Sequence, residues 1–387
     1  MPRNFEEKEL GFGMRLSIPR IIVAALALAS PALAERLELP KQGLENRIEF
    51  WKKVYTQYGE NDVIIHDRVH VNLIYDVAAR GEQASKITAV QQLLDEIRDS
   101  LATPENLSAP AQQIRDEIMA NGVAPTVENL ADLRENVHTQ LGIKERFRDG
   151  VIRSGRYVQT FQDIFDREGL PSDLALLPLV ESSYENRALS NAGAAGIWQF
   201  TRSTGRIYLN VNRKLDERLD PLKATRAAAR LLLVNYNALG DWPLAITAYN
   251  HGQAGMLRAQ SEVGSSEITK IINDYRGPLF GYASMNFYSE FIAAVEVYKN
   301  YQQYFGELVL DRPSQTSASP VRTAAAKPVV KARVQTAKAA PPDKYKVRKG
   351  DTLTEIAQRF GTSVRDLMDT NNLRNSVIHA GQILLVR

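Results

Sequence analysis

The order of apolar and polar positions divides this chain into stretches of different character. From 37 to about 151 the apolar residues recur mostly at helical spacing, except in the run Val63 to Val77, whose branched side chains fit a strand equally well. Residues 152 to about 305 predict helices with sharp ends. Asp220 is placed to cap a helix with Pro221 in its first turn; Leu222, Ala227, Leu231 and Leu232 supply the inner face, and Gly240 is the stop. Trp242-Pro243 opens the next helix, which the loop His251 to Gly255 ends, and a last apolar helix is expected from about Asn286 to Tyr304. Between Arg312 and Asp343 large apolar side chains nearly vanish in favour of Ala, Pro, Ser, Thr, Lys and Arg. Too little apolar surface remains there to offset the entropy of ordering, so a linker is expected. The final stretch regains globular patterning. Lys344 to Val347 and Ile383 to Val386 read as strands, Leu353 to Phe360 and Val364 to Asn371 as helices, with turns at Gly350-Asp351, Gly361 and Gly381.

These stretches predict a mainly α protein with a small α+β (βααβ) unit at its end. The expected layout is a targeting segment at 1–34, a helical extension at 35–151, a compact helical domain at 152–307, a basic linker at 308–343 and the small unit at 344–387. At the N-terminus Arg15 and Arg20 precede the apolar run Ile21 to Ala29, and Ala32-Leu33-Ala34 follows before Glu35. That is the pattern of a secretory signal peptide, and the acidic segment before Met14 fits it poorly, which leaves Met1 and Met14 as alternative translation starts. The run is shorter than the roughly 20 residues of a membrane-spanning helix, which leaves a retained anchor as the weaker alternative.

Composition narrows the classes further. A chain of 387 residues exceeds the usual single domain, and 44% apolar with 24% charged residues excludes collagen, wholesale disorder and a polytopic membrane protein. Residues 311–387 carry 14 Lys and Arg against 6 Asp and Glu, so the basic charge sits in the tail while the rest is acidic. No cysteine is present, which removes disulfides, thiolate metal sites, catalytic thiols and the lipidated cysteine of bacterial lipoproteins.

Candidate chemistry concentrates in two segments, Leu177 to Tyr184 and Ser190 to Phe200. Glu181 ends a segment rich in leucine, where desolvation disfavours the anion and raises the pKa; such a carboxyl can hold a proton near neutrality and serve as a general acid. Gly193 and Gly196 permit backbone close to a ligand, Gln199 offers polar reach, and Trp198 and Phe200 present either faces for sugar rings or core. Elsewhere His66 and His70 are four apart and could share a helical face as metal ligands, but no following Glu or third ligand accompanies them, and scaffold positions are the expected reading.

The ordered set Glu181-Ser182, Gly196-Ile197-Trp198-Gln199-Phe200 and Ala248-Tyr249-Asn250-His251-Gly252 resembles the soluble lytic transglycosylase family, glycoside hydrolase family 23. Within it the chain is similar to the membrane-bound lytic murein transglycosylase D type, which also combines this domain with C-terminal LysM repeats. Phe147 to Gly150 and Ser154 to Tyr157 carry that likeness as well. The resemblance implies a lysozyme-like helical fold with Glu181 as the single acid/base. Ser190 and Gln199 would contact the N-acetylated sugars, and Tyr249 and Asn250 would line the cleft. The family's final Asn-Tyr pair departs here, because Asn286 is followed by Phe287 and then Tyr288; Tyr288 is assigned the aromatic role, with Phe287 the alternative. The tail from Tyr345 to Leu384 resembles a LysM module, which implies a shallow groove for N-acetylglucosamine chains lined by Gly350, Asp351, Thr352, Leu353, Ile378, Gly381 and Gln382, with Leu353 and Ile356 the members expected to be buried rather than to touch sugar.

Most glycoside hydrolases pair two carboxylates, and no second one adjoins Glu181 in sequence. Asp220 has a capping role and Asp216-Glu217 reads as a solvated turn. A single acid fits a transglycosylase that cleaves the bond between N-acetylmuramic acid and N-acetylglucosamine and closes a 1,6-anhydro ring. No metal or nucleotide cofactor is implied. The expected partner is the peptidoglycan strand in the periplasm, with membrane association at most peripheral or through an uncleaved signal segment. A lysozyme-type hydrolase and a non-catalytic wall-binding scaffold are the rivals; nucleic-acid binding by the tail lacks interleaved aromatics.

Overall fold

The computed structural model describes residues 39–277, 279–313, 344–347, 353, 356, 367, 371, 373, 378–379 and 381–386. The expected signal peptide and most of the expected linker lie outside the described residues.

Helix α1 (Glu45–Thr56) turns Phe50, Trp51, Val54 and Tyr55 inward. The ambiguous run that follows is strand: β1 (Asp62–Asp67) pairs antiparallel with β2 (Ile74–Ala79) and with β3 (Val137–Leu141), in the order β2-β1-β3. As the central strand, β1 is buried on both faces. Ile64 joins the main core while Val63 and Ile65 point into a separate small one, so the apolar run is continuous and its period was hidden. That small core is closed by α2 (Gln83–Asp99), α3 (Ala109–Ala120) and α4 (Val127–Glu135) through Val90, Leu94, Ile97, Ile114, Ile118, Leu130 and Leu133. Ser108 and Thr126 cap the last two helices by accepting from the amides of Ala111 and Asn129. The extension is thus an α+β unit rather than a purely helical one, and α1 packs with the helices that follow it.

The main core is built by α5 (Lys144–Ser154), α6 (Val158–Arg167), the single-turn α7 (Pro178–Glu181), α8 (Arg202–Tyr208), α9 (Pro221–Leu239), α10 (Trp242–His251), α11 (Gln253–Val263), α12 (Ile268–Asp274), α13 (Tyr282–Lys299) and α14 (Tyr301–Phe305). Asp220 caps α9 as its sequence predicts, with its Oδ1 accepting from the amides of Leu222 (3.1 Å) and Lys223 (3.0 Å), and Gly240 ends the helix at φ +75°. The inward face is mostly alanine (Ala224, Ala227, Ala228), which lets α10 and α6 approach closely. The predicted loop at His251 to Gly255 reduces to one residue, Gly252 at φ +88°, after which α11 starts at once. Helix α13 begins four residues before its expected start and stops at Lys299. Past the expected boundary at 307 the chain stays on the core, with the Asp311 amide bonded to the Ile152 carbonyl and its carboxylate to Arg156.

In the C-terminal unit β4 (Lys344–Lys346) and β5 (Ile383–Leu385) pair antiparallel, over a core of Tyr345, Val347, Leu353, Ile356, Leu367, Leu384 and Val386. Asn371 ties this unit together: its amide nitrogen donates to the carbonyls of Leu367 and Leu385, and its Oδ1 accepts from the Leu385 amide.

Candidate active site

Glu181 is the last residue of α7, a helix too short to be stable alone. The preceding turn supplies its footing, because Leu174, Ala175, Leu176 and Leu177 are all buried. Pro178 starts the helix at a position where no amide donor is needed. The chain then reverses through Ser183 (φ +51°) and Tyr184 (φ +58°), left-handed conformations that non-glycine residues adopt only when their surroundings impose them. Three bonds impose them here. The Ser182 hydroxyl donates to the Ile197 carbonyl (2.8 Å), Arg153 Nε donates to the Ser183 carbonyl (2.9 Å), and the Tyr184 hydroxyl donates to the Ala175 carbonyl (2.6 Å). Gly150 lets α5 run against this turn, since a Cβ there would sit 2.9 Å from that of Ser183. That gives a reason for the glycine in the Phe147 to Gly150 segment.

The glycine-rich segment folds into a tight loop around the carbonyls of its neighbours. Gly196 has φ +82°, and an added Cβ would lie 1.9 Å from the Arg218 carbonyl oxygen, so only glycine fits. Gln199, itself at φ +47°, turns its amide back to donate to the carbonyls of Gly196 (2.8 Å) and Ala188 (3.2 Å). The Ser190 hydroxyl accepts from the Ala194 amide (3.0 Å). Trp198 and Phe200 are buried; the Trp198 indole donates to Thr225, and its carbonyl accepts from the Tyr249 hydroxyl (2.8 Å). Both rings are therefore core rather than sugar platforms.

Arg218, which sequence reasoning missed, organises this loop from below. It is buried, paired with Asp216, and donates to the carbonyls of Gly193 and Phe200. Asp216-Glu217 is accordingly not a solvated turn: Glu217 is buried, bonded to Asn210 and Lys223, and these partners hold its carboxyl down at about 2.

Electrostatically the site has one dominant feature. Burial pushes the Glu181 carboxyl up to about 8, while part of its side chain stays accessible. Among the described residues it has neither a hydrogen-bond partner nor a cation. Tyr249 lies close enough for the Glu181 charge to add to burial in pushing its hydroxyl up. Asn250 is exposed and accepts from the Ser284 hydroxyl (3.0 Å), which ties α10 to α13. Two open cavities, about 900 Å³ around Gly264 and Ile268 and about 570 Å³ around Tyr157 and Leu222, are lined by other residues.

One assigned aromatic does not come to this place. Tyr288 is fully buried and its hydroxyl donates to the Pro40 carbonyl (3.1 Å), so it has no face for a sugar. Phe287, the alternative, is also buried. Asn286 instead accepts from Arg47 (2.9 Å). In the C-terminal unit Leu353 is core, not groove, whereas Ile378 and Gln382 keep accessible surface and Gly381 is exposed in a turn at φ +93°. Gly350, Asp351 and Thr352 lie outside the described residues. His66 and His70 do not share a helix face: His66 is in β1, packed among Phe50, His138 and Tyr282 and driven down to about 3 by burial, and His70 is in the turn after it. No group of three His, Asp or Glu able to hold a metal occurs among the described residues.

A second carboxyl, invisible to local sequence reasoning, feels the charge of Glu181. Glu290 on α13 is pushed up to about 8, first by burial and then by the charge of Glu181.

Comparison with known proteins places these features. Residues 161–272 match the transglycosylase SLT domain, a span that contains Glu181, Ser190, Gln199, Tyr249 and Asn250, and residues 345–387 match the LysM domain. The chain is 27% identical to the membrane-bound lytic murein transglycosylase D of Escherichia coli strain K12, over 66% of this chain and 68% of that protein. It is 35% identical to a putative tributyltin chloride resistance protein of Alteromonas sp. strain M-1, over 25% of this chain and 48% of that protein. Its C-terminal unit is 49% identical to part of the cell wall-binding protein YocH of Bacillus subtilis strain 168, over 11% of this chain and 15% of that one.

Proposed function

We infer that this chain, with its SLT transglycosylase domain and LysM domain, is a lytic transglycosylase of peptidoglycan in which Glu181 is the acid and the base. The observation that carries the assignment is a carboxyl group raised to about 8 by burial, uncompensated by any cation among the described residues and partly open to solvent. At neutral pH it is protonated. It donates that proton to the oxygen joining N-acetylmuramic acid to N-acetylglucosamine, and the C1–O bond breaks as positive charge develops on the muramic ring. The carboxylate so formed then takes the proton of the muramic C6 hydroxyl, whose oxygen attacks the same C1 and closes a 1,6-anhydro ring. Glu181 ends the cycle protonated and water is not consumed. A group that must both give and recover a proton works best with its pKa near the working pH, which is what burial achieves here.

Ser190, Gln199, Tyr249 and Asn250 are assigned as the sugar-contacting set, and Tyr249 is near enough for the Glu181 charge to act on its hydroxyl. Their side chains are fixed by bonds to backbone or to Ser284, which supports a preorganised site. The LysM domain supplies wall affinity, with Ile378, Gly381 and Gln382 as the described part of its glycan groove. Such a substrate lies outside the cytoplasm, and the Arg15 to Ala34 pattern supports export to the periplasm. Among the described residues no helix is long and apolar enough to cross a membrane.

Mass spectrometry of fragments released from purified sacculi tests this reading. Anhydro-muramic products, abolished in Glu181→Gln, are expected. Products heavier by one water would assign a hydrolase instead, and unchanged release by Glu181→Gln would remove Glu181 from the chemistry.

A further inference from the structure

The loop that carries Ser190 and Gln199 is held by two sets of partners of different chemistry. Towards the acid its carbonyls meet neutral hydroxyls: Ile197 accepts from Ser182, the residue after Glu181, and Trp198 accepts from Tyr249. Elsewhere they meet a buried charge. The Arg218 guanidinium grips both oxygens of Asp216 through Nε (2.9 Å) and Nη2 (2.7 Å), and its Nη1 donates to the carbonyls of Gly193 and Phe200 (2.9 Å each). With only 2% of its side chain exposed, Arg218 cannot exchange these bonds for water. Two glycines make room for it. A Cβ at Gly196 would run into the Arg218 carbonyl, and one at Gly205, inside α8, would lie 2.9 Å from the Arg218 Cδ. Glycine is a poor helix residue, and the passage of the Arg218 stem accounts for this one. Stability alone does not call for the charge, because well-packed apolar side chains usually serve a fold as well as a buried ion pair does. What the guanidinium offers is a fixed plane of donors. A lysine has the same charge on one nitrogen and cannot hold a carboxylate by two bonds while spanning two separate carbonyls.

We propose that Arg218, locked by Asp216, is a positioning residue for the sugar-contacting loop: it sets where Ser190 and Gln199 stand, and so how the glycan seats rather than how the proton moves. The proposal rests on the reading of Ser190 and Gln199 as sugar contacts. Each gripped carbonyl lies close to the side chain it fixes. The Gly193 amide donates to the Ser190 carbonyl (2.9 Å), and the Ser190 hydroxyl accepts from the Ala194 amide (3.0 Å). Phe200 directly follows Gln199, and its carbonyl also accepts from the Ala195 amide (3.0 Å), which closes the loop on itself. Without the guanidinium fork the loop keeps its anchors to Ser182 and Tyr249, so Glu181 keeps its apolar setting while the sugar contacts lose theirs. The glycan then seats in more than one register and KM rises, with the protonation of the acid unchanged.

The test is steady-state release of anhydro product by the full-length chain from a soluble tetrasaccharide of alternating N-acetylglucosamine and N-acetylmuramic acid, together with amide hydrogen exchange. Arg218→Lys, which keeps the charge and loses the fork, should raise KM about ten- to a hundredfold. Asp216→Asn keeps the fork but loosens its lock and should raise KM less, and it decides the case alone if Arg218→Lys does not fold. In both variants kcat should fall far less than KM rises, and the alkaline limb of turnover should stay in place. Exchange at the Gly193, Ala194 and Ala195 amides should quicken about tenfold or more while α9 keeps its protection. A merely structural role predicts the reverse, a lowered melt and a kcat that drops with the folded fraction at constant KM. Unchanged KM in the folded variants overturns the proposal. So does unchanged loop exchange, a measurement that needs no turnover. Loop exchange that responds as expected in a protein whose wild type releases no anhydro product would instead refute the assigned function while the grip on the loop stands, so the two failures are separable.

Discussion

Replacing Glu181 with Gln should abolish turnover and make the protein more stable at alkaline pH. The folded chain holds the Glu181 proton up to about 8, whereas an unfolded glutamate releases it near 4.5. Between those values the native state binds more protons than the unfolded state, so stability falls as pH rises through the window. Gln cannot ionise and escapes that loss. At about 1.4 kcal/mol per pH unit the full gap corresponds to at most ~5 kcal/mol, reached above pH 8. Partial solvent access to the side chain reduces this, and about 2 kcal/mol is the working figure. For a domain of this size that is a rise in Tm of about 4 °C. Thermal melts of wild type and Glu181→Gln at pH 5 and pH 8.5 check it. The difference should be smaller at pH 5, where the unfolded glutamate has only begun to outrun the folded one, and larger at pH 8.5, with the variant higher at both. A variant that melts at or below the wild type at pH 8.5, or a difference that does not depend on pH, would refute the claim that burial sets the protonation of this group.

Gly196 and Gly193 should respond differently to alanine although both have positive φ. At Gly193 nothing lies within 4 Å of the new Cβ, and the backbone strain costs about 1 kcal/mol, whereas at Gly196 the Cβ meets the Arg218 carbonyl at 1.9 Å. Chemical denaturation should show a loss of more than ~3 kcal/mol in Gly196→Ala, accompanied by collapse of activity. Tyr288→Phe removes a hydrogen bond to the Pro40 carbonyl and should lower stability by about 1 kcal/mol while leaving KM for glycan fragments unchanged; a raised KM would restore the sugar-binding role. Asn371→Ala strips three hydrogen bonds from the thin C-terminal core, at roughly 2–3 kcal/mol, and should weaken sedimentation with sacculi without slowing cleavage of soluble fragments.

What the sequence made legible is chemistry that stands on local context. The cap at Asp220, the stop at Gly240 and the leucines before Glu181 all act within a few residues of themselves, so their consequences can be read in order. The run around Val63 resisted because β1 is buried on both faces, which erases the alternation that marks a strand. Asp216-Glu217 looked solvated because charged pairs usually are, yet their partners Arg218, Asn210 and Lys223 enclose them. Tyr288 misled for a geometric reason. Successive helix residues point about 100° apart, so a one-residue slip in a motif changes which side of α13 an aromatic faces, and Tyr288 faces Pro40.

Glu290 was hidden for a different reason: the charge that acts on it comes from a single turn of helix more than a hundred residues earlier, a long-range relation that no local pattern encodes. That turn is not stable on its own, and the two left-handed residues after it add strain of order 1–2 kcal/mol each. The strain is offset by bonds reaching in from Ile197, Arg153 and Ala175 and by a glycine at position 150 that lets α5 close over it. The Glu181 carboxyl is therefore held in an apolar setting by the domain around it rather than by its own helix. The packing that takes most of Glu181 out of water is what raises its proton affinity, so the protonation state of this carboxyl is a property of the assembled core and not of the Glu181-Ser182 motif alone.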